Sequence, residues 1–117
     1  MLKNFIILSV IGLSSLLLLL TDNSFYIAKS NIHGVGLFVN NNYKKGDKIM
    51  MVIDNNKNIT KLANKINHCN NANTIIKKEY DGWYIYSVQD IKNKSELTIN
   101  YNDTPDFIVK PNIDWIC

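Results

Sequence analysis

Asn67, His68 and Cys69 stand together in NKINHCNNANT (64–74), a run that also carries Asn64, Asn70, Asn71 and Asn73. A thiol beside an imidazole among amides suits four uses: a nucleophile with its base, part of a metal site, a cofactor cradle, or a polar loop. The nucleophile pair is poor, because neighbouring residues on a strand point to opposite sides. The other His and Cys are His33 and Cys117. A structural zinc site takes four Cys or His ligands, and no CxxC or HxxxH pair occurs here. Cys69 and Cys117 could instead form one disulfide in an oxidising compartment. A cofactor cradle or a loop whose Asn residues close turns remains. Two further features invite chemistry. Gly34 and Gly36 flank Val35, a turn that needs positive φ or a backbone that approaches a ligand closely. Tyr101 ends SELTINY, where its phenol is by itself a half-buried strand tyrosine.

These residues sit in a chain of 117 residues with net charge +3, 13 Lys, no Arg and 18 Asn. Lys, Asn and Ile share AT-rich codons, so the Lys excess reads as base composition. Phosphate-binding faces usually add Arg forks, and no basic run here exceeds two residues, so direct nucleic-acid binding is not expected. Residues 5–20, FIILSVIGLSSLLLLL, carry no charge, with Lys3 before and Asp22 after. The stretch is shorter than the roughly 20 residues of a span and longer than the roughly 7–15 of a signal core. The flank TDNS offers no small-x-small cleavage site, so residues 1–22 are expected to be a retained membrane anchor in preference to a cleaved signal. Lys3 argues for the N-terminus inside, while Lys29 and the later lysines pull the other way. Roughly 95 residues remain, enough for one domain with a thin core.

The patterning after residue 23 is mostly β. SFYIAKS alternates as a short strand. NYKKGDKIMMVI has a Lys-Gly-Asp turn and then an apolar β-type run. NITKLANKIN suggests one or two helical turns capped by Asn58 or Thr60. NTIIKKEYDGWYIYSVQDI reads as a hairpin turning at Asp81-Gly82. SELTINY reads as a strand with Leu97, Ile99 and Tyr101 on one face. The tail, with two Pro, reads as loop carrying aromatic anchors.

IHGVGLF (32–38) with NYKKGDKI (42–49), then NHCNNANT (67–74), then SVQDIKNKSELTINYND (87–103) resemble, in that order, the SET domain of protein lysine methyltransferases. That family shows a G-x-G near its start, an N-H-S-x-x-P-N segment, and a GEELTxxY strand ending in the catalytic tyrosine. The resemblance covers residues 25–104, and the size is most like the small viral and bacterial SET proteins. Ala72 stands where the family has Pro, Cys69 where it has Ser, and Lys94 and Ser95 replace Gly and Glu before Glu96. The stretch between the first two motifs is short, and no C-x-C-x4-C zinc tail follows.

The resemblance implies a mainly β fold, the SET β-clip with a knot-like C-terminal crossing, preceded by one N-terminal hydrophobic helix. The SET domain would span 24–104, and residues 105–117 would be a tail packed on it. The implied cofactor is S-adenosylmethionine, with Gly34, Val35, Gly36, Asn67, His68 and Trp115 around it. Asn67 would bond its methionine end, His68 would act through its backbone, and Trp115 would stack on the adenine. Tyr101 would be catalytic, Tyr84, Tyr86 and Phe107 would line the lysine channel, and Asn73 would brace the crossing. No metal is implied. The partners implied are a protein with a target lysine, such as a histone, the membrane through 5–20, and a second copy in a homodimer. The soluble domain would then face the cytosol or nucleus. Two other functions fit the same residues: a SET-fold binding module that has lost turnover, and a secreted domain held by a Cys69–Cys117 disulfide.

Overall fold

The computed structural model describes residues 23–112, 115 and 117. The expected anchor at 1–22 lies outside them. Among the described residues no helix is long and apolar enough to cross a membrane. The elements are β1 (Phe25–Lys29), β2 (Val35–Val39), β3 (Lys48–Asp54), a 3₁₀ turn (Ala63–Lys65), β4 (Asn67–His68), β5 (Thr74–Glu79), β6 (Gly82–Ser87), β7 (Thr98–Ile99) and a second 3₁₀ turn (Tyr101–Asp103). The architecture is mainly β, in three small sheets: β1-β2, β3-β6-β5 and β4-β7.

Each sheet is too small to bury a face by itself, so the three share one core. Leu37 and Val39 of β2, Val52 and Ile53 of β3, Ile85 of β6 and Ile99 of β7 meet there with Ile66, Ile91 and Leu97. Alternation sends Ile85 inward and leaves Tyr84 and Tyr86 on the outer face of β6. The segment before β7 is tied to β2: Leu97 N–H donates to Leu37 O at 2.8 Å, and Val39 N–H donates to Ser95 O at 3.0 Å.

β4 and β7 pair in parallel, Asn67 with Thr98 and His68 with Ile99. A parallel pair needs a crossover connection, usually a helix. Here the β5–β6 hairpin and the loop after it make the crossover, so the last strand enters beside a segment laid down 31 positions earlier.

Three local expectations are corrected. The helical stretch at 58–67 is a single 3₁₀ turn, Ala63–Lys65, preceded by Leu62 with no side-chain cap. The Thr60 hydroxyl instead donates to Met51 O at 3.1 Å. The β5–β6 hairpin turns at Tyr80-Asp81, with Glu79 opposite Gly82. Gly82 opens β6 at φ 150°, and a Cβ there would lie 2.4 Å from Ile53 O, so the glycine serves the approach of β6 to β3. SELTINY forms a strand over Thr98–Ile99 only, with Glu96 in a single antiparallel bridge to Phe38. The side chain of Asn100 accepts from Asn102 N–H at 3.0 Å, which bends the chain so that Tyr101 opens a turn.

Ile85 is fully buried on the central strand of the three-stranded sheet. Ile85→Ala is expected to lower unfolding free energy by about 2–5 kcal/mol in a urea titration, whereas Tyr80→Ser at the exposed hairpin tip should cost under about 0.5 kcal/mol.

Candidate active site

Tyr101 is placed by β7 and held by β4. Its N–H donates to His68 Nδ1 at 3.0 Å, and its hydroxyl donates to Ile66 O. Because Nδ1 is an acceptor, Nε2 carries the proton, and it donates to Asn70 Oδ1 at 2.9 Å. His68 is therefore a buried wedge between strand and turn, its ring 5.2 Å from that of Tyr101. This side-chain role was not legible before folding, because it exists only once β4 and β7 are adjacent. Burial raises the Tyr101 phenol above its ordinary value. The group at this position is thus a hydroxyl donor rather than a phenolate.

Beside Tyr101 lies a cavity of about 180 Å³. Its walls include Val52, Ile53, Ile66, Ile99 and Ile108, with Asn64 and Thr104 also present, so the space next to the phenol is mainly aliphatic. The expected channel aromatics are elsewhere. Tyr84 and Tyr86 stand on the outer face of β6, with their hydroxyls on Asp81 and Glu79 and Lys48 Nζ 3.8 Å from the centre of the Tyr84 ring. Strand alternation accounts for this, since they flank inward-pointing Ile85. Phe107 packs edge-on against Trp83 at 5.5 Å, and its neighbours Ile108 and Val109 line the cavity.

The Gly34–Gly36 turn is stitched to β4 by Asn67. The Asn67 amide nitrogen lies 3.0 Å from both His33 O and Val35 O, 3.1 Å from Ser30 Oγ and 2.8 Å from Glu96 Oε2. That NH₂ is engaged inside the protein. Gly34 has φ 48°, and a Cβ there would meet nothing within 4 Å, so the outer side of the turn is open. Gly36 has another reason for being glycine: a Cβ would lie 2.3 Å from Glu96 Oε2. Ser30 and Glu96 are the participants that sequence reading missed. The motif before Tyr101 contains Glu96, but its partners lie 66 and 29 positions away.

Asn73 locks the crossing. Its side chain donates to Glu96 O at 2.8 Å and accepts from Thr98 N–H at 2.9 Å, and its own N–H donates to Thr98 Oγ1 at 3.0 Å. Cys69 and Cys117 form a disulfide with Cα atoms 5.1 Å apart. This ties the end of the tail to β4 and accompanies an edge-on contact of Trp115 with Tyr101 at 6.2 Å. Trp115 is thus beside the catalytic candidate, with the Gly34–Gly36 turn held on Asn67 two residues before Cys69.

The SET domain family matches residues 40–102, over half of the chain, and the protein belongs to that family. Solved structures agree on the fold. A Plasmodium falciparum protein proposed to be a histone methyltransferase is 18% identical, with a TM-score of 0.58 over 69% of this chain and 95% of that one. A humanized mutant of the Chaetomium thermophilum Polycomb Repressive Complex 2, bound to an inhibitor, is 19% identical with a TM-score of 0.56. The match there covers 70% of this chain and 15% of that one. The comparison with curated proteins finds no match.

Two outcomes follow from this geometry. Thiol titration of denatured protein should find no free thiol before reduction and two after it. Cys117→Ser should cost about 4 kcal/mol of stability for a loop closed across 48 residues. The raised Tyr101 phenol gives stability that is complete below the unfolded value of about 10 and is lost as pH rises through the folded value. Wild type should therefore lose more stability than Tyr101→Phe between about pH 9 and 11, read as denaturation midpoints.

Proposed function

We propose that this protein is a SET-type protein-lysine N-methyltransferase that uses S-adenosylmethionine. The observation that carries the reading is the placement of Tyr101 in the lining of a mainly aliphatic cavity, directly after the β4–β7 pair. The residues present fit the cofactor: the Gly34 turn has open space on its outer side, and Asn67 holds that turn against the strand leading to Tyr101. S-adenosylmethionine would supply a methyl group made electrophilic by its sulfonium.

The chain's own contribution is alignment and solvent exclusion. A lysine amine is protonated at neutral pH, with an ordinary value near 10.4, and must lose that proton before its lone pair can attack. Aliphatic walls disfavour the ammonium and favour the neutral amine. The Tyr101 hydroxyl, which donates to Ile66 O, stands at a cavity that Asn64 and Thr104 also line, and it is suited to orienting the amine. Trp115 and the tail would exclude water from one side. The substrate would be a protein with an accessible lysine, a histone among the candidates. The anchor at 5–20 would hold the domain at a membrane facing the cytosol or nucleus.

The Cys69–Cys117 bridge favours a second reading, a SET-fold binding module in an oxidising compartment, because persistent disulfides are uncommon where thiols are kept reduced. Titration calorimetry of S-adenosylmethionine against the full chain separates the two. Methyl transfer predicts saturable binding that Asn67→Ala weakens. It also predicts turnover on a histone mixture that falls by about 10²-fold in Tyr101→Phe with little change in folding. Wild-type turnover in Tyr101→Phe would overturn the catalytic assignment. Binding without methylation would favour the module.

A further inference from the structure

We propose that Glu96 is the positioning residue of the cofactor turn, setting its shape through Ser30 and Asn67; this rests on the methyltransferase reading. The Glu96 carboxylate accepts from Ser30 Oγ, whose distances to its two oxygens are 2.8 and 2.9 Å, and from the Asn67 amide at 2.8 Å. Ser30 passes the constraint on. Its hydroxyl proton goes to the carboxylate, which leaves its oxygen to accept from Ile32 N–H at 2.9 Å and His33 N–H at 3.3 Å. The turn closes with Ser30 N–H donating to Gly34 O at 2.9 Å.

The carboxylate is itself held in place. Glu96 bridges to Phe38 of β2, and its carbonyl takes the Asn73 amide at 2.8 Å. Its side chain fills the space against Gly36 that a Cβ would otherwise use. One acidic side chain therefore joins the glycine turn, the Asn67 strand and the segment leading to Tyr101. A charged acceptor suits this role, because hydrogen bonds to carboxylate are shorter and stronger than those to a neutral oxygen. Gln at 96 could keep one acceptor but would turn an amide toward Asn67 or Ser30.

The test measures S-adenosylmethionine affinity, kcat at saturating cofactor and thermal midpoint in the full chain for Glu96→Ala, Glu96→Gln, Gly36→Ala and the Gly36→Ala/Glu96→Ala double variant. Glu96→Ala should weaken cofactor binding by about 10–100-fold, the loss of two hydrogen bonds to a charged group, while kcat stays within about threefold. Glu96→Gln should fall between Glu96→Ala and wild type. Gly36→Ala should weaken binding similarly. The double variant should be no worse than Glu96→Ala alone, because the added methyl enters space the carboxylate has left. A lowered thermal midpoint with wild-type affinity in Glu96→Ala would reduce the residue to a structural role and overturn the proposal. If Glu96→Ala does not fold, Glu96→Gln and Gly36→Ala decide the question on the same readouts. A wild-type chain that binds no cofactor would sink the functional reading and the positioning role together.

Discussion

The parallel contact between Asn67–His68 and Thr98–Ile99 is the constraint on which the site depends. Only two residues a side form it, too few for ladder hydrogen bonds alone to hold it. Asn73 supplies the rest by satisfying the backbone on both sides of Leu97 with one side chain. The core makes the same demand. Leu97 and Ile99 are buried, and their partners Leu37, Val39 and Ile85 come from two other sheets. Withdrawing this strand would open the core and free Tyr101 together. Structural and chemical integrity are therefore coupled at one place.

In a chain this small, polar side chains must do work that a larger core would leave to packing. Asn67 and Asn73 each satisfy backbone groups across distant segments, and Thr74 Oγ1 donates to Thr98 O at 2.6 Å. The abundance of Asn looked like base composition, and on the surface it can be only that. At 67 the amide's NH₂, and at 73 its paired donor and acceptor, satisfy backbone groups where irregular segments meet. His68 extends the principle, using one ring nitrogen to accept and the other to donate.

The tail adds the remaining wall. Ile108 and Val109 line the cavity, Phe107 packs on Trp83, and the disulfide fixes the end of the chain near β4. The cavity is consequently mainly aliphatic where aromatic walls had been expected. Asn64, Tyr101 and Thr104 are the polar residues among its walls.

Much of the fold was legible in the residues themselves. The alternation in FYIAK, the run KIMMVID and the hairpin around residues 80–82 follow from local patterning, which the chain carries wherever it goes. The order of the glycine turn, the Asn67 cluster and the Tyr101 strand was enough to identify the family. Local pattern could not say where β-strands end, because Asn100 bends the chain through its own side chain. Nor could it say which face of β6 turns toward the cavity, and that put Tyr84 and Tyr86 in the wrong company. The Ser30–Glu96–Asn67 network and the tautomer of His68 were beyond it altogether. They join residues 29 to 66 positions apart, and only a closed tertiary structure brings such groups within hydrogen-bonding distance.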